Sequence, residues 1–131
     1  MRARDIMTTP TFALTPSATL DEAAEMMTGH RFTTMPVVDA DGRLLGLLTE
    51  ADILLTPEPS GDPDTGVMLD SKPRTAGAAM RTTGLAVPAG TDVRELARQM
   101  TDAGVRSAPV VEGGRVIGMV TFQDVLRAQR A

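Results

Sequence analysis

The stretch Gly46-Leu47-Leu48-Thr49-Glu50-Ala51-Asp52 comes back near the end of the chain as Gly118-Met119-Val120-Thr121-Phe122-Gln123-Asp124. In each copy a short apolar run stops at a threonine and passes directly into a helical pattern, Asp52-Ile53-Leu54-Leu55 or Asp124-Val125-Leu126. Thr49 and Thr121 are therefore expected as N-caps, with Asp52 and Asp124 as the shorter acid of a capping box at solvent-facing helix starts. Capping accounts for the threonine and the aspartate, but it does not ask for a glycine three residues before the threonine. A helix start offering amides, a hydroxyl and a carboxylate also suits a nucleotide: amides and hydroxyl bind phosphate, and a carboxylate accepts from both hydroxyls of a ribose. Cap alone, or cap and ligand site, both stand at this level.

Working outward, the residues before each copy also repeat. Leu20, Ala23, Ala24 and Met27 form a stripe at helical period, with Thr19 and Glu22 as a capping box and Gly29 as the stop. Val93, Leu96, Ala97 and Met100 form the same stripe, with Asp92 and Glu95 in the capping positions. Each helix is followed by a β-rich run holding a proline, Phe32-Thr33-Thr34-Met35-Pro36-Val37-Val38 and Val105-Arg106-Ser107-Ala108-Pro109-Val110-Val111. The proline, which has no N–H for a ladder, points to an edge strand or a strand start. Asp39-Ala40-Asp41-Gly42 and Glu112-Gly113-Gly114 then read as turns, so each unit holds a hairpin. The prolines are 109 − 36 = 73 apart and the aspartates 124 − 52 = 72, which places a one-residue deletion in the second hairpin turn. Internal repetition of this kind is the dominant signal in the chain.

Residues 1–17 read as a short extended segment with apolar Ile6, Met7, Phe12 and Leu14. From Thr56 to Gly77 the composition turns to Pro, Gly, Asp, Ser and Thr, as expected of a linker or mobile loop, with Val67-Met68-Leu69 as the part able to touch the body. The organisation expected is a first repeat at 1–56, a linker at 57–77 and a second repeat at 78–131. Half of 131 residues buries too little surface to stand alone, so the repeats are expected to pack as one body.

Composition excludes several classes of function. Aromatic residues are only 2% of the chain, so base stacking of the single-strand-binding kind has little to work with. The formal charge is −4 and the basic residues are scattered, which argues against nucleic acid as a partner. With no cysteine there is no disulfide, thiolate catalysis or cysteine-held metal, and His30, the single histidine, has no second ligand at metal spacing. It reads as a solvated helix end. No apolar run approaches a membrane span and no leader follows Met1, so a cytoplasmic address is expected. No Ser-His-Asp set, phosphate-binding P-loop or zinc signature can be assembled, and catalysis is not expected.

The β-α-β-β-α unit with a Met35-Pro36-Val37-Val38-Asp39 strand and a Gly46-to-Asp52 strand–helix junction, present twice, resembles the CBS domain pair or Bateman module. The resemblance implies an α+β fold of two repeats about a pseudo-two-fold axis, a stand-alone regulatory or energy-sensing module, and assembly as a homodimer. It also implies two clefts for AMP, ADP, ATP or S-adenosylmethionine, with no obligatory cofactor and no metal. One cleft would combine Thr49 and Asp52 with Met80, Leu85, Val105, Arg106 and Ser107. The other would combine Thr121 and Asp124 with Met7, Phe12, Phe32, Thr33 and Thr34. Apolar residues would sandwich the base, groups near Phe12 or Leu85 would read its edge, and the aspartates would hold the ribose. Arg106 would supply a cation for phosphate to the Asp52 cleft, whereas Thr33 at the equivalent place supplies none to the other. Arg31 and Arg81 are further basic residues that the sequence alone does not place. An adaptor dimer that binds a protein partner, or an enzyme or transporter regulated in trans, are the competing outcomes.

Overall fold

The structure, a computed structural model, describes residues 1–9, 11–56 and 74–130. The linker expected at 57–77, with Val67-Met68-Leu69, lies outside the described residues except at its end. There Thr75 caps a short helix, α4 (Ala76–Ala79), by accepting from the Ala78 amide, so Ala76 and Gly77 belong to the folded body.

The first repeat runs through α2 (Leu20–His30), β1 (Thr34–Val38), β2 (Leu44–Thr49) and α3 (Glu50–Leu55). The second runs through β3 (Val87–Pro88), α5 (Val93–Ala103), β4 (Ser107–Glu112), β5 (Arg115–Thr121) and α6 (Phe122–Arg130). Both hairpins form in equivalent register, Pro36 opposite Leu47 and Pro109 opposite Met119, and both shift register just after the proline-bearing stretch. The β1–β2 pair is a two-stranded sheet, whereas β4 lies between β3 and β5. Pro109 is thus not on an edge strand as expected. It is tolerated because β3 pairs only with Val110 and Val111, beyond the proline. Leu14 plays the part of β3 for the first repeat: its amide donates to the Pro36 carbonyl and its carbonyl accepts from Val38.

Helix ends depart from expectation in three places. Helix α2 runs through Gly29 to His30 and ends on Arg31, whose left-handed φ of 59° occupies the capping position. Thr19 does accept from the Glu22 amide, but Asp92 accepts from Arg94 rather than sharing a box with Glu95. Glu95 instead pairs with Arg98 and Gln99, side chains one turn along its own helix. The extended segment expected at 1–17 is interrupted by a helical turn, α1 (Ala3–Ile6), held by the Asp5 carboxylate on the Arg2 amide.

That turn is explained by where it packs. Ala3, with Ile6 and Met7, joins the core of the second repeat, formed by Val87, Leu96, Met100, Ala108, Val110 and Val120. Reciprocally, Ala76, with Ala79 and Met80, joins the core of the first repeat, formed by Leu14, Leu20, Met27, Met35, Val37 and Leu48. Each repeat thus completes the other's interior. The same symmetry governs the polar joints. Arg2 bridges Asp92 as Thr19 bridges Thr75, and the hairpin turns exchange hydrogen bonds from the Leu44 amide to Gly114 (3.2 Å) and from the Val116 amide to Gly42 (3.0 Å). The repeats are therefore related by a pseudo-two-fold axis.

The exchange also explains the duplicated glycine that capping left unexplained. The segment after α4 crosses Gly46, where a Cβ would lie 2.7 Å from the Arg81 carbonyl oxygen and 2.8 Å from the Met80 sulfur. The segment after α1 crosses Gly118, where a Cβ would lie 2.5 Å from the Met7 sulfur. Both glycines mark close approach of a crossing chain. The two obstacles differ, since the methionine side chain at Gly118 is flexible and the backbone at Gly46 is not. Gly46→Ala is expected to cost about 1–3 kcal/mol, and Gly118→Ala less, because Met7 can change rotamer. Chemical denaturation of the two variants checks this; equal losses would show that the Arg81 backbone yields as easily as a methionine.

Candidate functional site

Both strand–helix junctions form the reciprocal cap that their sequence spells. In the first, the Asp52 amide donates to Thr49 Oγ1 at 3.1 Å and the Thr49 amide donates to Asp52 Oδ2 at 2.9 Å. In the second, the Asp124 amide donates to Thr121 Oγ1 at 3.2 Å, while the Thr121 amide and hydroxyl donate to Asp124 Oδ2 at 2.9 and 3.0 Å. The carboxylates are buried rather than solvent-facing as expected, at 8% and 7% exposure, because each folds back over the first turn to close its cap.

The remaining carboxylate oxygens are also engaged. Arg81 Nε donates to Asp52 Oδ1 at 2.9 Å, and Arg127 donates to Asp124 Oδ1 from one turn further along α6. Burial pushes the Asp52 carboxyl up, but the Thr49 amide, the Arg81 guanidinium and the Thr49 hydroxyl together outweigh it and hold Asp52 below the ordinary carboxylate range.

On the Asp124 side a cavity of about 210 Å³ opens between the repeats. One wall is the segment after α1, with Thr8, Thr9, Thr11 and Phe12. The opposite wall is the end of α2 and the start of β1, with Arg31, Phe32, Thr33 and Thr34. Ser107, Met119 and Thr121 complete the lining from β4 and β5. Thr11 Oγ1 is buried and has no hydrogen-bond partner among the described residues. A buried hydroxyl left this way is costly, and a polar ligand atom would satisfy it.

The profile of the CBS domain matches residues 3–57 and again residues 76–131. The chain belongs to the CBS domain family. Among its relatives, hypoxic response protein 1 of Mycobacterium tuberculosis is 33% identical over 125 residues, covering 95% of this chain and 82% of that protein. The crystal structure of that protein with two coordinated zinc ions superposes with a TM-score of 0.78 at 31% identity, covering 98% of both chains. CBSX2 of Arabidopsis thaliana, solved in complex with AMP, superposes with a TM-score of 0.82 at 26% identity over 98% of this chain and 96% of that one. In this CBS pair, no group of three His, Cys, Asp or Glu among the described residues is arranged to hold a metal ion, and no described helix is long and apolar enough to cross a membrane.

Of the residues expected beside Asp124, Phe12, Phe32, Thr33, Thr34 and Thr121 line this cavity, whereas Asp124 itself is not in the lining. Met7 is withdrawn from the lining and lies on Gly118 instead. Phe12 and Phe32 do not leave a slot for a base between them. Their centroids are 5.7 Å apart, and His30 stacks on both, at 4.4 and 5.2 Å, so the three rings form one cluster. His30 is thus exposed at the helix end but not merely solvated. Of the residues expected beside Asp52, Met80 packs on the first core and over Gly46, while Leu85 and Val105 pack on the second core. Arg106 lines a groove against α5 and α6. Ser107, also expected there, lines the Asp124-side cavity, because it pairs directly with Thr121 across β4 and β5.

Arg31, which the sequence alone does not place, lines this cleft where Thr33 supplies no cation. The helix passes Gly29 and ends in a left-handed turn, which brings the arginine to the cavity wall. Thr8, Thr9, Thr11 and Met119 also escaped the sequence reading. The signal for Thr8 was its place beside Met7, 73 residues before Arg81.

Because the folded-state pKa of Asp52 is lowered, its contribution to stability is fully present above the unfolded-state value of about 3.9 and is lost as pH falls through the lower folded-state value. Asp52→Asn is therefore expected to be less stable than wild type at pH 7 and to lose that deficit at an acid pH well below the ordinary carboxylate range. Urea unfolding at both pH values checks the sign; a gap that widens in acid would contradict the ion-pair description.

Proposed function

We propose that the chain is a non-catalytic regulatory module that binds an adenosyl ligand in the clefts between its repeats. The cavity beside Thr121 carries this reading, since it is lined by both repeats and contains an unpartnered buried hydroxyl, Thr11 Oγ1. In this reading the base lies against the Phe12 and Phe32 cluster, the threonine hydroxyls take its polar edge, and Arg31 faces the phosphate. Asp124, with Thr121, would receive the ribose once Arg127 gives up Oδ1. The presence of Arg31 favours AMP, ADP or ATP over S-adenosylmethionine at this site. The AMP complex of CBSX2 supports the same ligand class. A ligand that touches both repeats favours one relative arrangement of them, and that differential affinity is the regulatory lever.

A second reading, in which the clefts are unused and the pair is an adaptor or homodimer, draws on a separate observation. Leu54 and Leu55 on α3 are 82% and 78% exposed, and Leu126 on α6 is 51% exposed. These apolar side chains suit burial against a second copy of the chain or a partner protein. Burial of this surface in a homodimer is common to both readings, which differ in whether the clefts are used.

Thermal unfolding with AMP, ADP, ATP, S-adenosylmethionine and GMP at millimolar concentration separates them. A ligand at about 100 times its dissociation constant adds about 2.7 kcal/mol, which raises the midpoint by several degrees. The expected result is a rise with adenine nucleotides that Asp124→Asn or Thr121→Ala removes, exceeding the rise with GMP. No shift with any adenosyl ligand would leave the adaptor reading in its place.

A further inference from the structure

The two crossing segments are built on the same plan but differ at the residue that pairs with the strand. The segment after α1 pairs with β5 through Thr8, whose amide and carbonyl exchange hydrogen bonds with Met119 at 2.7 and 3.2 Å. The segment after α4 pairs with β2 through Arg81, whose amide and carbonyl exchange hydrogen bonds with Leu47 at 2.8 and 2.9 Å. Arg81 stands 81 − 8 = 73 residues after Thr8, the spacing that also separates the two strand prolines. The positions are equivalent in the fold as well as in the sequence. Where the residue is Thr8, it lines the open cavity. Where it is Arg81, the side chain reaches Asp52 and donates to Oδ1.

That contact takes the one carboxylate oxygen that the cap leaves over, because Oδ2 is already held by the Thr49 amide. Asp52 is buried at 8% exposure, while the Arg81 side chain is 64% exposed. The anion is fixed and the cation can leave. A ligand that needs Asp52 Oδ1 as an acceptor must first displace the guanidinium, which then requires another anion close by. Arg127 also pairs with Asp124, but it does so from its own helix and not from the chain segment that crosses the cleft.

We propose that Arg81 is a specificity-determining plug of the Asp52 cleft, admitting ligands that bring an anion for its guanidinium and excluding neutral nucleosides. This rests on the adenosyl-binding reading above and extends it: Arg81, standing where the other side has Thr8, adds an anion requirement at Asp52. A nucleoside monophosphate exchanges one anion for another at Arg81. Adenosine offers a diol to Asp52 but nothing to the displaced cation.

Titration calorimetry with AMP and with adenosine on wild type, Asp52→Asn, Arg81→Gln and Arg81→Thr tests it, the Asp52 cleft being the site that Asp52→Asn removes. In wild type that site is expected to prefer AMP over adenosine by about tenfold or more, the size of one charge-assisted hydrogen bond. Both Arg81 variants are expected to narrow the ratio to within about threefold, with adenosine binding tighter and AMP weaker than in wild type. Because Arg81→Gln keeps a donor and loses the charge, it distinguishes anion selection from simple crowding. An Asp52-dependent site whose AMP-to-adenosine ratio is unchanged in both Arg81 variants overturns the plug while leaving the ligand-binding reading intact. An Asp52 site that stays empty for adenosine after Arg81→Thr also overturns it, even when the other cleft fills. Absence of binding by either nucleotide or nucleoside in every protein overturns both.

Discussion

Two chain crossings over glycine hold the molecule together. Met7 lies on Gly118, and Met80 with Arg81 lies on Gly46, so that each crossing segment is pressed against the strand of the hairpin whose core it enters. Without these close approaches, Ala3 would leave the second core and Ala76 the first, and each repeat would be left with an unfilled interior. A repeat of about half this length is marginal alone, because small bodies bury too little of their surface. The exchange resolves that difficulty by making each repeat part of its neighbour. It also positions the cavity beside Thr121, since the segment that carries Ala3 into the second core continues as one of its walls.

Much of this was legible in the residues. The paired Gly-to-Asp stretches identified the strand–helix junctions, and the reciprocal caps formed at both, since threonine and aspartate three apart can satisfy each other's amides without tertiary help. The hairpins and their one-residue difference followed from periodicity and turn residues. What escaped depended on contacts between distant parts of the chain. Nothing local says that Ala3 to Ile6 should be helical; the turn exists because Ala3 has a core 80 or more residues away to enter. Gly29 looked like a helix stop, yet the helix continued one residue further, to His30, because the left-handed position fell to Arg31. In the cleft, the apolar residues Phe12 and Phe32 were readable as a pair, but their stacking with His30 was a matter of tertiary approach.

The glycines show how one sequence signal can have two explanations. A duplicated glycine before a duplicated Thr-x-x-Asp looks like part of a ligand motif. In the fold its first duty is steric, making room for the crossing backbone or side chain. The aspartates have a comparable double character. Each is buried and closes a helix cap, so it contributes to the fold whether or not a ribose ever meets it. The second oxygen is held by an arginine at both junctions. Duplication has kept the frame common to both halves, while single residues at equivalent places, Thr8 and Arg81, have made their surfaces different.

The exchange of segments also sets an order of events during synthesis. The first core needs nothing beyond Met80, so it can close while the second half is still being made. The second core cannot, because its early contribution, Ala3 with Ile6 and Met7, is made long before Gly118. The separation from Met7 to Gly118 is 118 − 7 = 111 residues. At about 5–20 residues per second, the apolar turn waits roughly 5 to 20 seconds for its partner. Through that interval the turn travels with the first repeat, and the second core closes over it only when β5 has been made.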